Sequence, residues 1–354
     1  MKNFQSFFVK EYTAQAIRDY FISRGFHEVE TPTLLTQIPL EPNLYTLKTH
    51  WRQKNLNFYL ATSPESSLKK LIAEGIGNCF AISKVFRDLE DIGPTHNLEF
   101  SMLEWYEMGQ DYQHLAKTTE NLIVNTYCLL LEKLGRKQTN FLTYQGAQID
   151  LTPPWPRFTL KELFLKFAGI DLTKNLDAES IIATAKAKGY NTTGITTWEP
   201  LYTQIFINEI ESNLPQDKPV FIFDYPTALS PLCKLCAIST GKGQSPAPNG
   251  AGFSQRFEFY LGGMEIGNGY TELTDAKILE ENFQKEEEFR KSNHLPTHPY
   301  DKELIEATKH FPECTGIGLG IDRLAMLFAD TAKIEDVLYL PTSKLISLTN
   351  DPKR

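Results

Sequence analysis

Two arginines are the side chains in this chain best suited to handling phosphate. Arg87 lies in VFRDLEDIGPTHNLEFSMLEWY (residues 85–106), which opens on Phe-Arg, passes acids and a turn-rich loop, and returns through His96 into an apolar run punctuated by acids. The pattern predicts a strand–loop–strand hairpin with an arginine before the loop and an aromatic after it. A guanidinium grips phosphate in a fixed fork, and an aromatic ring offers a flat face to a base, so the hairpin suits a nucleotide. Alone, it would read better as an amphipathic hairpin with charged rims. Arg323 changes that balance. It sits in TGIGLGIDRLAMLF (315–328), where Gly316, Gly318 and Gly320 strip side chains from one side of an extended segment. The apolar run that follows predicts a helix with Asp322 and Arg323 at its N-terminus, where the helix dipole adds to the arginine charge. The glycine spacing is wrong for a dinucleotide fingerprint, and too little chain follows to complete one.

A pair of carboxylates is the next candidate. In RFEFYLGGMEIGNGY (256–270), a two-residue turn at Gly262-Gly263 sets Leu261 against Met264 and Tyr260 against Glu265. Glu258 then shares a face with Glu265. Like charges that close call for a cation between them, and oxygen-only ligation suits magnesium; a solvated sheet face is the alternative. Strict alternation puts Glu272 on the opposite face, unless a bulge near Gly267 or Gly269 reverses the parity. Cys233 and Cys236 form a lone CxxC with no second pair nearby, so they read as incidental thiols rather than a metal site.

The elements that must position these residues fall into three regions. Residues 1 to about 110 carry a helix-then-strand segment, Glu11 to Pro32. In it Ala14, Ile17 and Phe21 share a helical face, Gly25 stops the helix and FHEVETP supplies the strand. Residues 111 to about 214 read mostly as helices, with LAKTTENLIVNTYCLLLEKL the clearest periodic run. From Pro219 strands return, interrupted by the glycine- and proline-rich stretch 241–252, which is expected to be a mobile loop. The 354 residues are 41% hydrophobic and 12% aromatic, enough for a substantial core. A formal net charge of −8 does not suit a chain built around a broad phosphate-binding surface. No apolar run approaches a membrane span and the N-terminus lacks a signal-peptide core, while five scattered cysteines argue for reduced thiols in the cytosol.

The 11–32 segment, the hairpin around Arg87 and the GIGLGIDRL segment follow one another along the chain as the first, second and third signatures of class II aminoacyl-tRNA synthetases do. The chain resembles the catalytic core of that family. The resemblance implies an α+β fold, a mostly antiparallel sheet flanked by helices, in a single domain over 1–354 with a largely helical insertion at about 111–214. TSPESSLKKL, HNLEFSMLEWY and RFEFYLGGMEIGNGYTELTDA are most similar to lysyl-tRNA synthetases. Because the first signature begins almost at Met1, no N-terminal OB-fold is expected, which resembles the shorter paralogues that act as elongation factor P lysine ligases.

From this resemblance follow ATP, magnesium and a lysine-type amino acid. Arg87 is implied at the α-phosphate and Arg323 at the γ-phosphate, with Phe100 stacked on adenine and Glu90 at its edge. His96, Asn97, Glu265, Ile266 and Gly320 are further implied nucleotide contacts. Glu258 and Glu265 would hold magnesium. Ser63, Glu65, Tyr106, Asn268, Glu272 and Gly318 would form the amino-acid pocket, where separated acids meet two amines. The expected reaction is formation of an aminoacyl adenylate from lysine or β-lysine, then transfer to a lysine of elongation factor P by a cytoplasmic homodimer. A stand-alone lysyl-tRNA synthetase-like enzyme that charges tRNA or activates another small amino acid is the alternative. Three departures stand out: an extra residue in Arg87-Asp-Leu-Glu90, Thr95 where lysyl-tRNA synthetases usually have arginine, and Gly318 where the ligases typically have alanine.

Overall fold

The computed structural model describes residues 4–89, 92–236 and 252–349. An eight-stranded sheet carries the fold. From one edge its strands run His27–Glu28, Cys79–Phe86, Glu99–Met108, Cys314–Gly320, Met264–Thr271, Phe253–Leu261, Val220–Pro226 and Arg157–Thr159. The six inner strands are mutually antiparallel, and a parallel pair closes each edge. The fold is therefore the α+β, mostly antiparallel architecture expected.

One face of the sheet is covered by helices whose apolar residues recur at helical spacing. In Gln5–Ile22 the buried positions are Val9, Thr13, Ala16, Ile17, Tyr20 and Phe21. The helix therefore starts six residues before Glu11, and Ala14 sits at the flank of its buried face. Tyr112–Lys133 begins at Asp111, whose carboxylate accepts from the amides of Gln113 and His114, and buries Leu115, Leu122 and Ile123 in the same core. The strand expected from FHEVETP is only two residues long, with one further bond from the Val29 amide to the Phe80 carbonyl, because it has a neighbour on one side only.

Between the second and third signatures the chain builds two different things. The hairpin Phe141–Tyr144 and Ala147–Asp150 packs Leu142 and Ile149 into the main core, while residues 160–214 form a second cluster around Trp198, Tyr202 and Phe206. That cluster leans on the main sheet through Val220, Ile222 and Tyr260. Most of the stretch 241–252 lies outside the described residues.

The hairpin turn falls at Gly262-Gly263, both with positive φ (60° and 76°), as two-residue turns of this kind require. Leu261 faces Met264 and Tyr260 faces Glu265; the register then slips, so that Phe259 faces Gly267 and Glu258 faces Asn268. Ile266 is the extra residue. This bulge, one position before the glycines, reverses the parity and brings Asn268, Tyr270 and Glu272 to the face that carries Glu258 and Glu265.

Candidate active site

Three inner strands and the short helix Ile321–Phe328 enclose a cavity of about 190 Å³ lined by Arg87, Phe100, Glu265, Asn268 and Arg323. The Arg87 guanidinium lies over the Phe100 ring, 5.3 Å from its centroid. Arg323, in the first turn of its helix, is held by three residues, two on the loop before Glu99–Met108 and one on Met264–Thr271. It donates to the Thr95 carbonyl (3.2 Å) and the Glu265 carbonyl (2.9 Å), and lies 2.6 Å from His96 Nε2. His96, Asn97, Ile266, Gly318 and Gly320 also line this cavity. The Asn97 amide is already engaged: it donates to the Glu99 carbonyl and accepts from the Thr342 amide, so it shapes the wall through backbone. Asp322 likewise turns inward, accepting from the Ser101 amide and pairing with Lys10 at 2.6 Å. Glu90 lies outside the described residues.

A smaller cavity, about 70 Å³, adjoins the first and shares Arg87, Met102, Asn268 and Gly318 with it. Ser63, Glu65, Tyr106 and Gly318 all line it, as do Glu41, Glu104 and Tyr270. At Gly316 it is the protein that makes the close approach. A methyl group there would lie 2.3 Å from the Tyr106 ring, so only glycine lets that ring cross the strand. At Gly318 and Gly320 an added methyl meets nothing nearer than 3.5 Å and 3.9 Å.

Carboxyls crowd this second cavity. Glu65 accepts from Lys69 and from the Tyr270 hydroxyl, both at 2.5 Å. Glu272, 1% exposed, is ion-paired with the same Lys69 at 2.7 Å and stands behind the pocket wall rather than on it. Glu104 accepts from the Tyr106 hydroxyl at 2.6 Å. One lysine cannot neutralise so many acids. Burial, with the Glu65 charge adding, pushes Glu41 up to about 7. Burial pushes Glu272 to about 8 despite Lys69 and lifts Glu104 well above the carboxylate range. Lys69 stays protonated: burial opposes its charge, but Glu272 and Glu65 more than offset that. Glu41, Glu104 and Tyr270 escaped the sequence reading. Glu104 alone left a local trace, as a charged residue between the buried Leu103 and Trp105.

Glu258 and Glu265 line one further cavity together. Glu258 is clasped by Arg256 (2.7 Å) and by the hydroxyls of Tyr225 (2.7 Å) and Tyr260 (2.9 Å). Burial and the Glu265 charge nevertheless raise its pKa. Two carboxylates on one face, one of them costly to ionise, fit a magnesium ion that draws its other oxygens from water and phosphate. Cys233 and Cys236 are free thiols, and burial pushes Cys236 up to about 12. Among the described residues no group of three or more His, Cys, Asp or Glu could hold a metal, and no helix is long and apolar enough to cross a membrane.

Residues 2–344 match the family of class II tRNA synthetases (D, K and N). The chain is 34% identical over 333 residues to a lysine–tRNA ligase of Pelotomaculum thermopropionicum, covering 93% of this chain and 62% of that protein. It is 33% identical over 341 residues to the lysine–tRNA ligase of Moorella thermoacetica, covering 96% and 65%. Over 348 residues it is 33% identical to that of Enterococcus faecalis, covering 97% and 65%. The chain thus spans a little under two thirds of the length of these relatives.

Proposed function

The chain belongs to the class II tRNA synthetases of the D, K and N group, and from that premise we propose that it activates a lysine-type amino acid with ATP and passes the acyl group to an amine. One observation carries the reading: the arginine-lined and acid-rich cavities share Arg87, Met102, Asn268 and Gly318. A carboxylate of a molecule seated in the second cavity therefore meets a phosphate seated in the first at the Arg87 guanidinium.

Phe100 stacks on the adenine, Arg87 stabilises charge developing at the α-phosphate, and Arg323, braced by His96 and Glu265, holds the γ-phosphate. Magnesium would be held by Glu258 and Glu265 and would neutralise charge on the phosphates. Ser63, Glu65 and Tyr106 orient the amino acid, with Glu104 and Glu272 adding negative potential for its two ammonium groups. Asn268, on the lining of both cavities, aligns the two reactants.

The amino acid is lysine or β-lysine, and the acceptor is a lysine side chain of elongation factor P, in a cytoplasmic homodimer. The net charge of −8 supports this acceptor over RNA. A second reading, aminoacylation of tRNA, is favoured by the relatives, which are lysine–tRNA ligases at 33–34% identity. Incubation with ATP and lysine should drive pyrophosphate exchange. Elongation factor P should then gain one activated amino acid by mass on a single lysine, while lysine tRNA stays uncharged. Efficient charging of tRNA with no mass change on elongation factor P would overturn the acceptor; absent exchange with either amino acid would overturn the activity.

A further inference from the structure

The cavity that holds Glu258 and Glu265, about 430 Å³, is the largest of the three and connects them. It shares Arg87, Glu265 and Asn268 with the nucleotide cavity, and Glu41 and Tyr270 with the amino-acid cavity. Its far wall comes from the helical segment, through Glu199, Tyr202, Phe206 and Glu211. Asn43 donates to Glu199, fastening that wall to the loop that carries Glu41. On its lining five carboxyls, those of Glu41, Glu199, Glu211, Glu258 and Glu265, face the two guanidiniums of Arg87 and Arg256. The proposed metal accounts for Glu258 and Glu265 and leaves the other three without a role. Desolvation raises the pKa of both Glu199 and Glu211, with Glu286 and Glu258 respectively adding to it. Ser230, 2% exposed, brings to the same lining a hydroxyl with no hydrogen-bond partner among the described residues.

We propose that this cavity is the passage by which the acceptor reaches the adenylate, and that it selects a protruding lysine-type side chain. The inference rests on the amino-acid activation proposed above. Tyr202 and Phe206 suit an alkyl stem, while Glu199 and Glu211 draw its ammonium inward. A nucleic-acid end, rich in phosphate, is repelled by the same carboxyls. At the inner end Glu41, which faces both cavities, takes one proton from the ammonium. The freed lone pair forms the carbon–nitrogen bond at the adenylate carbonyl, the bond from that carbon to the phosphate oxygen breaks, and AMP leaves. The second proton lost by the nitrogen goes to the leaving phosphate.

The test gives the full chain ATP, lysine and two competing nucleophiles at pH 7. Hydroxylamine is small and largely neutral, whereas Nα-acetyl-lysine methylamide presents one ammonium on an alkyl stem. The ratio of amide to hydroxamate should fall about tenfold in the Glu199→Gln/Glu211→Gln variant. An unchanged ratio overturns the passage. Hydroxamate yield reports folding and activation in the same tube. If the double variant makes none, single Glu211→Gln is read by the same ratio. If the parent chain makes neither product, activation itself fails and this inference falls with it.

Discussion

Four carboxyls, Glu41, Glu65, Glu104 and Glu272, are grouped around one buried lysine, and that imbalance has a measurable consequence. With Glu41 raised to about 7 and Glu272 to about 8, some of them carry protons near neutrality. A ligand with two ammonium groups favours their ionised forms and lowers those pKa values. Lysine binding should therefore release protons at pH 7, and affinity should rise with pH through 7 to 8, by up to about tenfold per unit for each proton released. Calorimetry in two buffers of different ionisation heat reads this directly; proton uptake, or no exchange, would refute it. Gly318 gives a second prediction at this scale. A methyl group there meets Met102 at 3.5 Å and Glu104 at 3.8 Å, ordinary contact distances, so Gly318→Ala should fold normally. Because the position lines both cavities, the methyl should lower exchange with α-lysine about tenfold and shift preference towards β-lysine. Equal effects on both amino acids would reduce Gly318 to a packing position.

At the scale of elements, the loop through Glu41 and Leu44 is held by a residue far along the chain. Arg290, on the helix Ala276–Ser292 and 1% exposed, donates to the carbonyls of Glu41 and Leu44. It also pairs with Glu286 at 2.6 Å and lies 4.7 Å from the Tyr45 ring centroid. The Tyr45 carbonyl in turn accepts from the Asp88 amide, beside Arg87. One buried arginine thus positions a wall of the amino-acid cavity and the start of the second-signature loop. Arg290→Met takes the guanidinium away from Glu286 and from the carbonyls of Glu41, Leu44 and Pro296, which should cost about 3–5 kcal/mol by thermal or urea unfolding. Arg290→Lys keeps the charge without the fork. It should remain folded yet raise the KM for lysine more than that for ATP, and equal changes in both would count against a positioning role.

For the whole molecule, the open edge of the sheet and the helix beside it are the natural place for a second copy. His27–Glu28 has a strand partner on one side only, and Phe8 and Ile22 of the first helix are 49% and 57% exposed. We expect a homodimer through this region. Light scattering at micromolar concentration should give twice the chain mass, and Phe8→Asp/Ile22→Asp should halve it. A parent chain that is monomeric at that concentration would end the proposal.

The sequence alone determined what short-range geometry controls. Two adjacent glycines specify a tight turn and hence the pairing of Tyr260 with Glu265. An apolar run at helical spacing after a glycine-rich strand seats Arg323 in a first turn. Those features depend on the φ, ψ and periodicity of neighbouring residues, which are written locally. Tertiary packing decided the rest. The glycines at 267 and 269 left room for a bulge, but its place at Ile266 shows only in the pairing of Met264–Thr271 with its neighbours, and it turns Glu272 to the face of Glu258 and Glu265. Lys69 meets Glu272, and Arg290 meets Glu41, across separations of more than two hundred residues, which no window of sequence contains. The protonation of Glu41, Glu104 and Glu272 is set by burial and by the sum of surrounding charges. Those quantities exist only once the chain has closed around them.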